Sequence, residues 1–459
     1  MSEQSQTFIA KTSVKAADKE HRRKINFNIG RYNAAVPNGK KQFSDLESAK
    51  EKAKNIKWKA IETLDAQLEK FEAIITSRSV KVIWAETAEQ ALQEILNICT
   101  QKNCRSVVKS KSMVTEEIHL NHFLEKNNIE SVETDLGEYI QQLDNEPPYH
   151  IVTPAMHKSK EDVAKLFAEK LGTDPKLTPG QLTMVAREKL RDKYTGAEIG
   201  ITGANFIIAD TGAIAFTENE GNARLSAAWP KTHIVIAGIE KIIPSLNDLA
   251  LFWPLLSTYG TGQRLTVYNT IVTGPRRDGE TDGPTEMYVV LLDNGRTNLL
   301  ANEKARESLY CIRCGSCLNA CPVYKNIGGH SYDTTYSGPI GSVITPHLRG
   351  MENWSHLSYA SSLCGNCTEA CPLKINLHEL LLENRRESVA EGDPSFSERT
   401  AWKMWKMAMM RRGLMNTGGA SIKNWVVNHF IPGWKKDRSE LIFPKKSFNQ
   451  LWKQKYGNR

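Results

Sequence analysis

Seven of the nine cysteines in this 459-residue chain fall between Cys311 and Cys371. Cys311-Ile-Arg-Cys314-Gly-Ser-Cys317-Leu-Asn-Ala-Cys321-Pro322 is a C-x2-C-x2-C-x3-C-P run. Its two-residue spacings let three thiolates wrap one face of a cubane in a tight loop, and thiolate sulfur suits iron. The fourth cysteine, turned away by the longer spacing and the proline, serves the other cluster in two-cluster ferredoxins. A second run, Cys364-Gly-Asn-Cys367-Thr-Glu-Ala-Cys371-Pro372, matches the last three cysteines of the first, with Ser361 at the absent position. Crossing the ligands assigns Cys311, Cys314, Cys317 and Cys371 to one cluster and Cys321, Cys364 and Cys367 to another.

Two iron–sulfur clusters, most simply 4Fe-4S, are therefore expected, and with them electron transfer. The second has only three cysteine ligands. It is either 4Fe-4S with a non-cysteine ligand or an open iron, or 3Fe-4S; Ser361, Asp333, His330 and a substrate oxygen are candidate ligands. Structural zinc usually takes four ligands in two pairs, which seven cysteines in two C-P runs fit poorly. Cys99 and Cys104, at a helix end and a strand start, read as buried small hydrophobes.

The remaining composition sets limits. Cysteines grouped this way in a chain of this size do not make a disulfide scaffold. No apolar run approaches the roughly 20 residues that span a bilayer; the best, Leu249–Leu256, contains Pro254. The first residues are polar, with no signal-peptide core, so a cytoplasmic protein is expected. The net charge of +8 belongs to the tail: residues 396–459 carry 14 Lys and Arg against 3 Asp and Glu.

Elements must position these groups. Residues 1–42 read as a loosely packed polar arm. From Phe43 to Ser77, Ile56, Ala60, Leu64, Leu68 and Phe71 recur at helical spacing. Val80–Trp84, Ser106–Val108, Ile151–Thr153, Phe206–Ile208, Ile234–Ala237, Thr266–Val272 and Met287–Leu292 read as strands. Ala88–Ile98 and Thr115–Lys126 read as helices between them. Such alternation predicts an α/β domain with a largely parallel sheet over 43–300. Strand signals then fade, and 301–395 reads as a mainly helical ferredoxin-like domain, with helices at Ala301–Leu309 and from Leu377. A basic tail, 396–459, holds Trp402, Trp405, Trp425, Trp434 and Trp452.

A set of short motifs occurs in order along the α/β region: Lys109-Ser-Lys111-Ser-Met113, Glu133-Thr-Asp135-Leu-Gly-Glu138, Ile201-Thr-Gly-Ala204, Asp210-Thr-Gly212, Glu220-Gly221-Asn222-Ala-Arg224 and Leu292-Asp-Asn-Gly-Arg296. Joined to the cysteine runs, this set resembles the lactate utilization protein B family, over residues 45 to 410. The resemblance implies an LUD (lactate utilization) domain with an isomerase-like α/β fold and two 4Fe-4S clusters. It also implies a part in oxidising L-lactate to pyruvate, beside a second iron–sulfur protein (the A component) and a small LUD protein (the C component). The three-cysteine second run is the family's own pattern.

A site for a 2-hydroxy acid needs a cation or amide cradle for the carboxylate and a base for the hydroxyl proton. Arg224, Lys109 and Lys111 are the candidate cations, with the backbone amides of Glu220, Gly221 and Asn222 supporting. Glu218, Asp210, Glu133 and Asp135 are the candidate bases. Each has an ordinary alternative in a turn or a structural ion pair. Clusters pass electrons singly, whereas lactate yields two, and no G-x-G-x-x-G turn marks a dinucleotide site. The expected role is the electron-transfer component of an NAD-independent lactate-oxidising system, with the two-electron step in a partner protein. The alternatives are a self-sufficient 2-hydroxy-acid oxidoreductase holding substrate beside cluster two, and a non-catalytic iron–sulfur sensor.

In the tail, Trp402, Trp405 and Met409 share one helix face, ringed by Lys403, Lys406, Arg411 and Arg412. A face packed on the chain's own core is the simpler expectation. Docking to an acidic partner or an anionic membrane surface is the functional alternative. No recognition motif for nucleic acid accompanies the charge.

Overall fold

Thr232–Gly238 and Glu286–Leu292 are apolar at nearly every position, the pattern of strands covered on both faces. In the computed structural model, which describes residues 2–392, 396–411, 413–414, 417–430, 439 and 442–457, they are adjacent strands of one sheet. The strands in chain order are β1 (Val80–Ala85), β2 (Ser106–Lys109), β3 (Glu130–Glu133), β4 (Ile199–Gly203), β5 (Phe206–Ile208), β6 (Ala213–Glu218), β7 (Thr232–Gly238), β8 (Ile242–Ile243), β9 (Tyr268–Val272) and β10 (Glu286–Leu292). Six form a sheet in the order β1-β10-β7-β4-β2-β3, every neighbouring pair parallel. All their carboxyl ends therefore lie along one edge. A second sheet, β8-β5-β6-β9, is mixed; β5 and β9 match strands expected from the sequence, whereas β6 and β8 were not expected.

Two expectations about this region fail for identifiable reasons. Ile151–Thr153 forms no strand. Its polar backbone is satisfied by side chains: Lys111 Nζ donates to the Val152 carbonyl at 2.9 Å, and His150 Nδ1 accepts from the Val152 and Thr153 amides. The helix expected over Thr115–Lys126 is two pieces, Met113–Glu117 and Leu120–Lys126, broken where His119 turns left-handed at φ 54°.

Residues 1–42 are not a loose arm. They fold as helices Glu3–Ala17 and Lys19–Lys40, the first capped by Ser2 and the second by Asp18. Ile25 and Ile29, one turn apart, are buried in the main core. Lys24 pairs with Asp162 and Lys11 with Asp333. The helical pattern after Phe43 divides at Thr63 into Leu46–Glu62 and Leu64–Thr76. Ala301–Leu309 is likewise interrupted: a helix over Arg296–Ala301, then a 3-10 turn over Ala305–Tyr310.

Met1–Ser388 forms one compact unit and Val389–Arg459 another. The sheet and the cysteine segment accordingly share one hydrophobic core, which runs from Val235 and Leu291 through Leu309 and Cys314 to Leu381. In the second unit, helix Phe396–Met410 buries none of its residues. Trp402, Trp405 and Met409 are exposed, so the core-packed face expected from their spacing is not found. Arg412 and Trp434 lie outside the described residues. Among the described residues, no helix is long and apolar enough to cross a membrane.

Candidate functional site

A cavity of about 380 Å³ opens where the parallel strands end. Ser110 and Lys111 follow β2, and Asp135 follows β3. Gly203 closes β4, Gly238 closes β7, and Arg296 comes after β10. Open α/β sheets bind ligands at this edge, because only there do five loops converge on one space. The cysteine segment supplies the opposite wall through Arg313, Cys314 and Tyr336.

Two charged groups line the cavity. The first contains Asp135, Glu218, Glu220 and Lys111. The Asp135 side chain caps helix Leu136–Asp144 by accepting from the Gly137 and Glu138 amides. Glu218 accepts from the amides of Ala223 and Arg224, at 2.7 and 2.9 Å. The Asn222 amide turns its NH2 toward Glu218 and accepts from the Asp135 amide at 3.2 Å. Glu220 accepts from the Leu136 amide at 3.0 Å. Burial, reinforced by Asp135, pushes the Glu220 carboxyl up to about 7, and burial also raises Glu218. A carboxylate so tuned exchanges protons near neutral pH.

The second group is cationic. Lys241 has no hydrogen bond or ion pair for its ammonium among the described residues, and burial draws it down to about 8. The Arg313 Nη1 atom is buried without a partner. Its Nη2 lies 3.5 Å from Glu240 Oε1, and its guanidinium covers the Tyr336 ring at 4.6 Å. Glu240 also receives Arg296 Nε at 2.5 Å, and Arg296 forks onto Glu117 at 2.8 and 3.0 Å. These two arginines hold the Glu240 carboxyl down at about 2 despite its burial. Gly238 is required here: a Cβ on it would stand 2.1 Å from Glu240 Oε2 and 2.4 Å from Arg296 Nε.

The cysteines gather in two groups. Cys314 and Cys317 interact electrostatically with Cys311 and Cys371, while Cys321 and Cys367 interact with Cys364. The donor chemistry suits clusters. All seven are free thiols, and the Arg313, Tyr324 and Ile375 amides point at the sulfurs of Cys311, Cys321 and Cys371, at 3.4, 3.5 and 3.4 Å. Such N–H donors favour thiolate over thiol. Crowding works the other way: burial and neighbouring sulfurs push Cys371 up to about 12, so a positive metal centre is what would stabilise the thiolates. Cys364 is exposed, and the second group opens to solvent there.

Other positions singled out in the sequence stand elsewhere. Lys109 is fully buried off the cavity lining, 2.7 Å from Glu133, 3.2 Å from Glu116 and 3.9 Å from Glu138, so the fold places it as a core cation. Arg224 is exposed and off the cavity lining, because its place in helix Asn222–Ala228 turns it to solvent. Gly221 supplies the left-handed start of that helix (φ 81°) and does not line the cavity. Asp210 accepts from the Leu246 amide at 3.0 Å and ties down a loop. Glu133 is engaged by Lys109 and Asn121.

For the second group's missing ligand, Ser361 Oγ accepts from the Leu363 amide and Asp333 pairs with Lys11. His330 Nε2 donates to the Pro147 carbonyl. The cavity meets the first group through Cys314; no cysteine of the second group lines it, against the expectation of a substrate beside cluster two. Lys241, Arg313 and Tyr336 were not recognised as functional in the sequence, and Glu220 was named there only for its backbone amide. Of the first three, only Arg313 carried a signal, its place inside the first C-x2-C.

Comparison with known proteins agrees with this architecture. The LUD domain family matches residues 68–292, and the 4Fe-4S dicluster domain family matches residues 307–375. The chain is 46% identical over 379 residues to "Lactate utilization protein B" of Bacillus velezensis, covering 82% of this chain and 79% of that one. The protein of the same name from Bacillus subtilis is also 46% identical over 379 residues, with the same coverage of 82% and 79%. "Uncharacterized electron transport protein YkgF" of Escherichia coli is 43% identical over 390 residues, covering 84% and 82%. A solved DUF162 family protein from Deinococcus radiodurans aligns with a TM-score of 0.28 at 13% identity, over 50% of this chain and 98% of that one.

Proposed function

The chain belongs to the lactate utilization protein B family, and from that premise we propose that it is the iron–sulfur electron-transfer component of a multi-protein system oxidising L-lactate to pyruvate. One observation carries the reading: a single cavity is walled by the carboxyl ends of the parallel strands on one side and by Cys314 on the other. A small molecule bound there stands against the first cysteine group.

In this proposal Cys311, Cys314, Cys317 and Cys371 hold one 4Fe-4S cluster, and Cys321, Cys364 and Cys367 hold the second with a non-cysteine fourth ligand. Bound clusters supply one-electron acceptance and release. The chain's own residues do the rest. Lys241 and the free Nη1 of Arg313 present N–H donors suited to a carboxylate. Glu220, poised near 7, accepts a hydroxyl proton, and Lys111 steadies the carboxylate charge around it. The shared core of sheet and cysteine segment keeps the two walls in register. L-lactate gives up two electrons and two protons in becoming pyruvate. With Glu220 taking the hydroxyl proton, the C2 hydrogen and its electron pair go to a two-electron acceptor that a partner supplies at this cavity, from which the clusters take electrons singly. The A-type iron–sulfur protein and the C-type LUD protein are the proposed partners, and the exposed basic tail is the proposed docking element.

The tuned Glu220, on the same cavity lining as Lys241 and the free Nη1 of Arg313, favours a second reading, in which this chain binds and oxidises the 2-hydroxy acid itself. The deciding experiment is anaerobic. The protein with assembled clusters is mixed with L-lactate, alone and with the A and C components, and cluster reduction is followed by EPR. Reduction only with the partners supports the relay; reduction by lactate alone sinks it in favour of the second reading. Full lactate turnover by an assembled system carrying Cys311→Ser and Cys364→Ser would rule out both.

A further inference from the structure

Away from both cysteine groups and from the cavity, three metal-ligating side chains from three separate segments converge. Glu146 follows helix Leu136–Asp144, and His157 precedes helix Lys160–Leu171. His330 opens the 3-10 turn His330–Tyr332, in the connection between the two cysteine runs. One ligand atom from each lies within 4.8 Å of the others. We infer that Glu146, His157 and His330 bind one divalent transition-metal ion, of which zinc best matches the donor set. Two imidazoles with one carboxylate form a recurrent three-ligand arrangement for zinc and for non-haem iron(II), leaving an open position for solvent.

The surroundings prepare the donors. His330 Nε2 donates to the Pro147 carbonyl at 2.7 Å, which fixes the tautomer and leaves the Nδ1 lone pair free. Ligating histidines characteristically commit their other nitrogen this way. His157 Nε2 hydrogen-bonds Glu146 Oε2 at 2.9 Å, and its Nδ1 is buried with no partner among the described residues; an ion between the two would replace that hydrogen bond and leave the ring proton on Nδ1.

The rings are held in place by packing. His157 stacks on Tyr149 at 4.5 Å, and His330 meets both Tyr149 and His157 edge-on at 4.9 Å. All three side chains are only partly buried, which leaves solvent access to the ion.

One feature opposes the ion. Lys158 Nζ lies 2.8 Å from the same Glu146 oxygen. Asp144 also pairs with Lys158, so the ammonium keeps a partner if Glu146 turns toward a metal. Bound there, the ion would fasten the connection between the cysteine runs to the sheet domain.

The test uses the full chain with its clusters assembled anaerobically. The protein is exposed to zinc chloride, desalted, and its zinc, iron and sulfide are counted. Retention of about one zinc per chain with iron and sulfide unchanged is expected, and His157→Gln with His330→Gln should weaken it at least tenfold. Equal zinc in wild type and the double variant, or iron lost in step with zinc gained, would overturn the site. Should the double variant fold poorly, cobalt(II) bound to the wild type decides. A spectrum free of thiolate charge transfer supports nitrogen and oxygen ligands, and thiolate charge transfer overturns them.

Discussion

Arg313, the residue before the second cysteine of the first run, faces Glu240, which follows β7, with Nη2 and Oε1 3.5 Å apart and both side chains buried. The pair joins the cysteine loop to the sheet edge, and Arg296 occupies the other Glu240 oxygen. Removing a buried charge from such a network leaves its partner uncompensated. Glu240→Gln should therefore cost about 3–5 kcal/mol, seen as a lower urea midpoint for the cluster-loaded protein. A midpoint equal to wild type would show that the pair couples nothing.

Glu220 makes the pH behaviour specific. Its folded value of about 7 lies above the usual 4.5, so between those limits the folded chain binds more protons than the unfolded one. Its contribution to stability therefore falls as pH rises from 4.5 to 7. Its basic form grows over the same range, so lactate-dependent electron delivery should rise with pH through about 7. Glu220→Gln should flatten that profile and slow delivery by roughly 10²-fold or more. A variant with the wild-type profile would remove Glu220 from the chemistry.

Lys241 and Arg224 separate two notions of the carboxylate anchor. Lys241→Met should weaken pyruvate or lactate binding about tenfold or more by calorimetry, since a charge-assisted hydrogen bond of roughly 1.5–3 kcal/mol is lost. Arg224→Ala, at an exposed position off the cavity, should leave binding alone and shift stability by no more than about 0.5 kcal/mol. The reverse pattern would return the anchor to Arg224.

Lys109 is a core cation among Glu116, Glu133 and Glu138. Lys109→Met strands those carboxylates and should destabilise the fold by about 3–5 kcal/mol. Any protein that still folds should bind the small carboxylate with unchanged affinity. A selective loss of affinity in stable protein would contradict that placement.

The cysteine groups predict separable clusters. Cys314→Ser should perturb the cluster beside the cavity, and its EPR signal should lose any response to pyruvate. Cys364→Ser should perturb the other signal and leave that response intact. A response that followed Cys364 would place the ligand against the second group.

Much of this was legible in one dimension. The C-x2-C-x2-C-x3-C-P run and its shortened repeat announce thiolate clusters because ligand spacing is local geometry. The sheet strands β7 and β10 announce themselves because burial on both faces leaves a nearly unbroken apolar run, while β1, at the sheet edge with Lys81 and Trp84 exposed, shows only its β-branched residues. Lys111, Glu218 and Asn222 were found in motifs that the fold does bring to the cavity. What failed depended on partners far along the chain. Residues 1–42 look solvated until Ile25 and Ile29 meet a core built from later segments. Ile151–Thr153 looks like a strand until Lys111 and His150 claim its backbone.

The cysteines, by type and spacing alone, determined that this protein handles iron, sulfur and electrons, and their crossed grouping follows from the same local rule. Which group borders the cavity was decided only in three dimensions. Parallel strands place β2, β3, β4, β7 and β10 with their carboxyl ends on one edge. The shared core then closes that edge with the first cysteine loop and not the second. Lys241 carries no signature in sequence, and Glu220 and Arg313 carry only their places in a short motif and in the first C-x2-C. Their shifted protonation comes from burial and from charged neighbours as far along the chain as Lys111 is from Glu220 and Arg313 is from Lys241, which only the folded chain assembles.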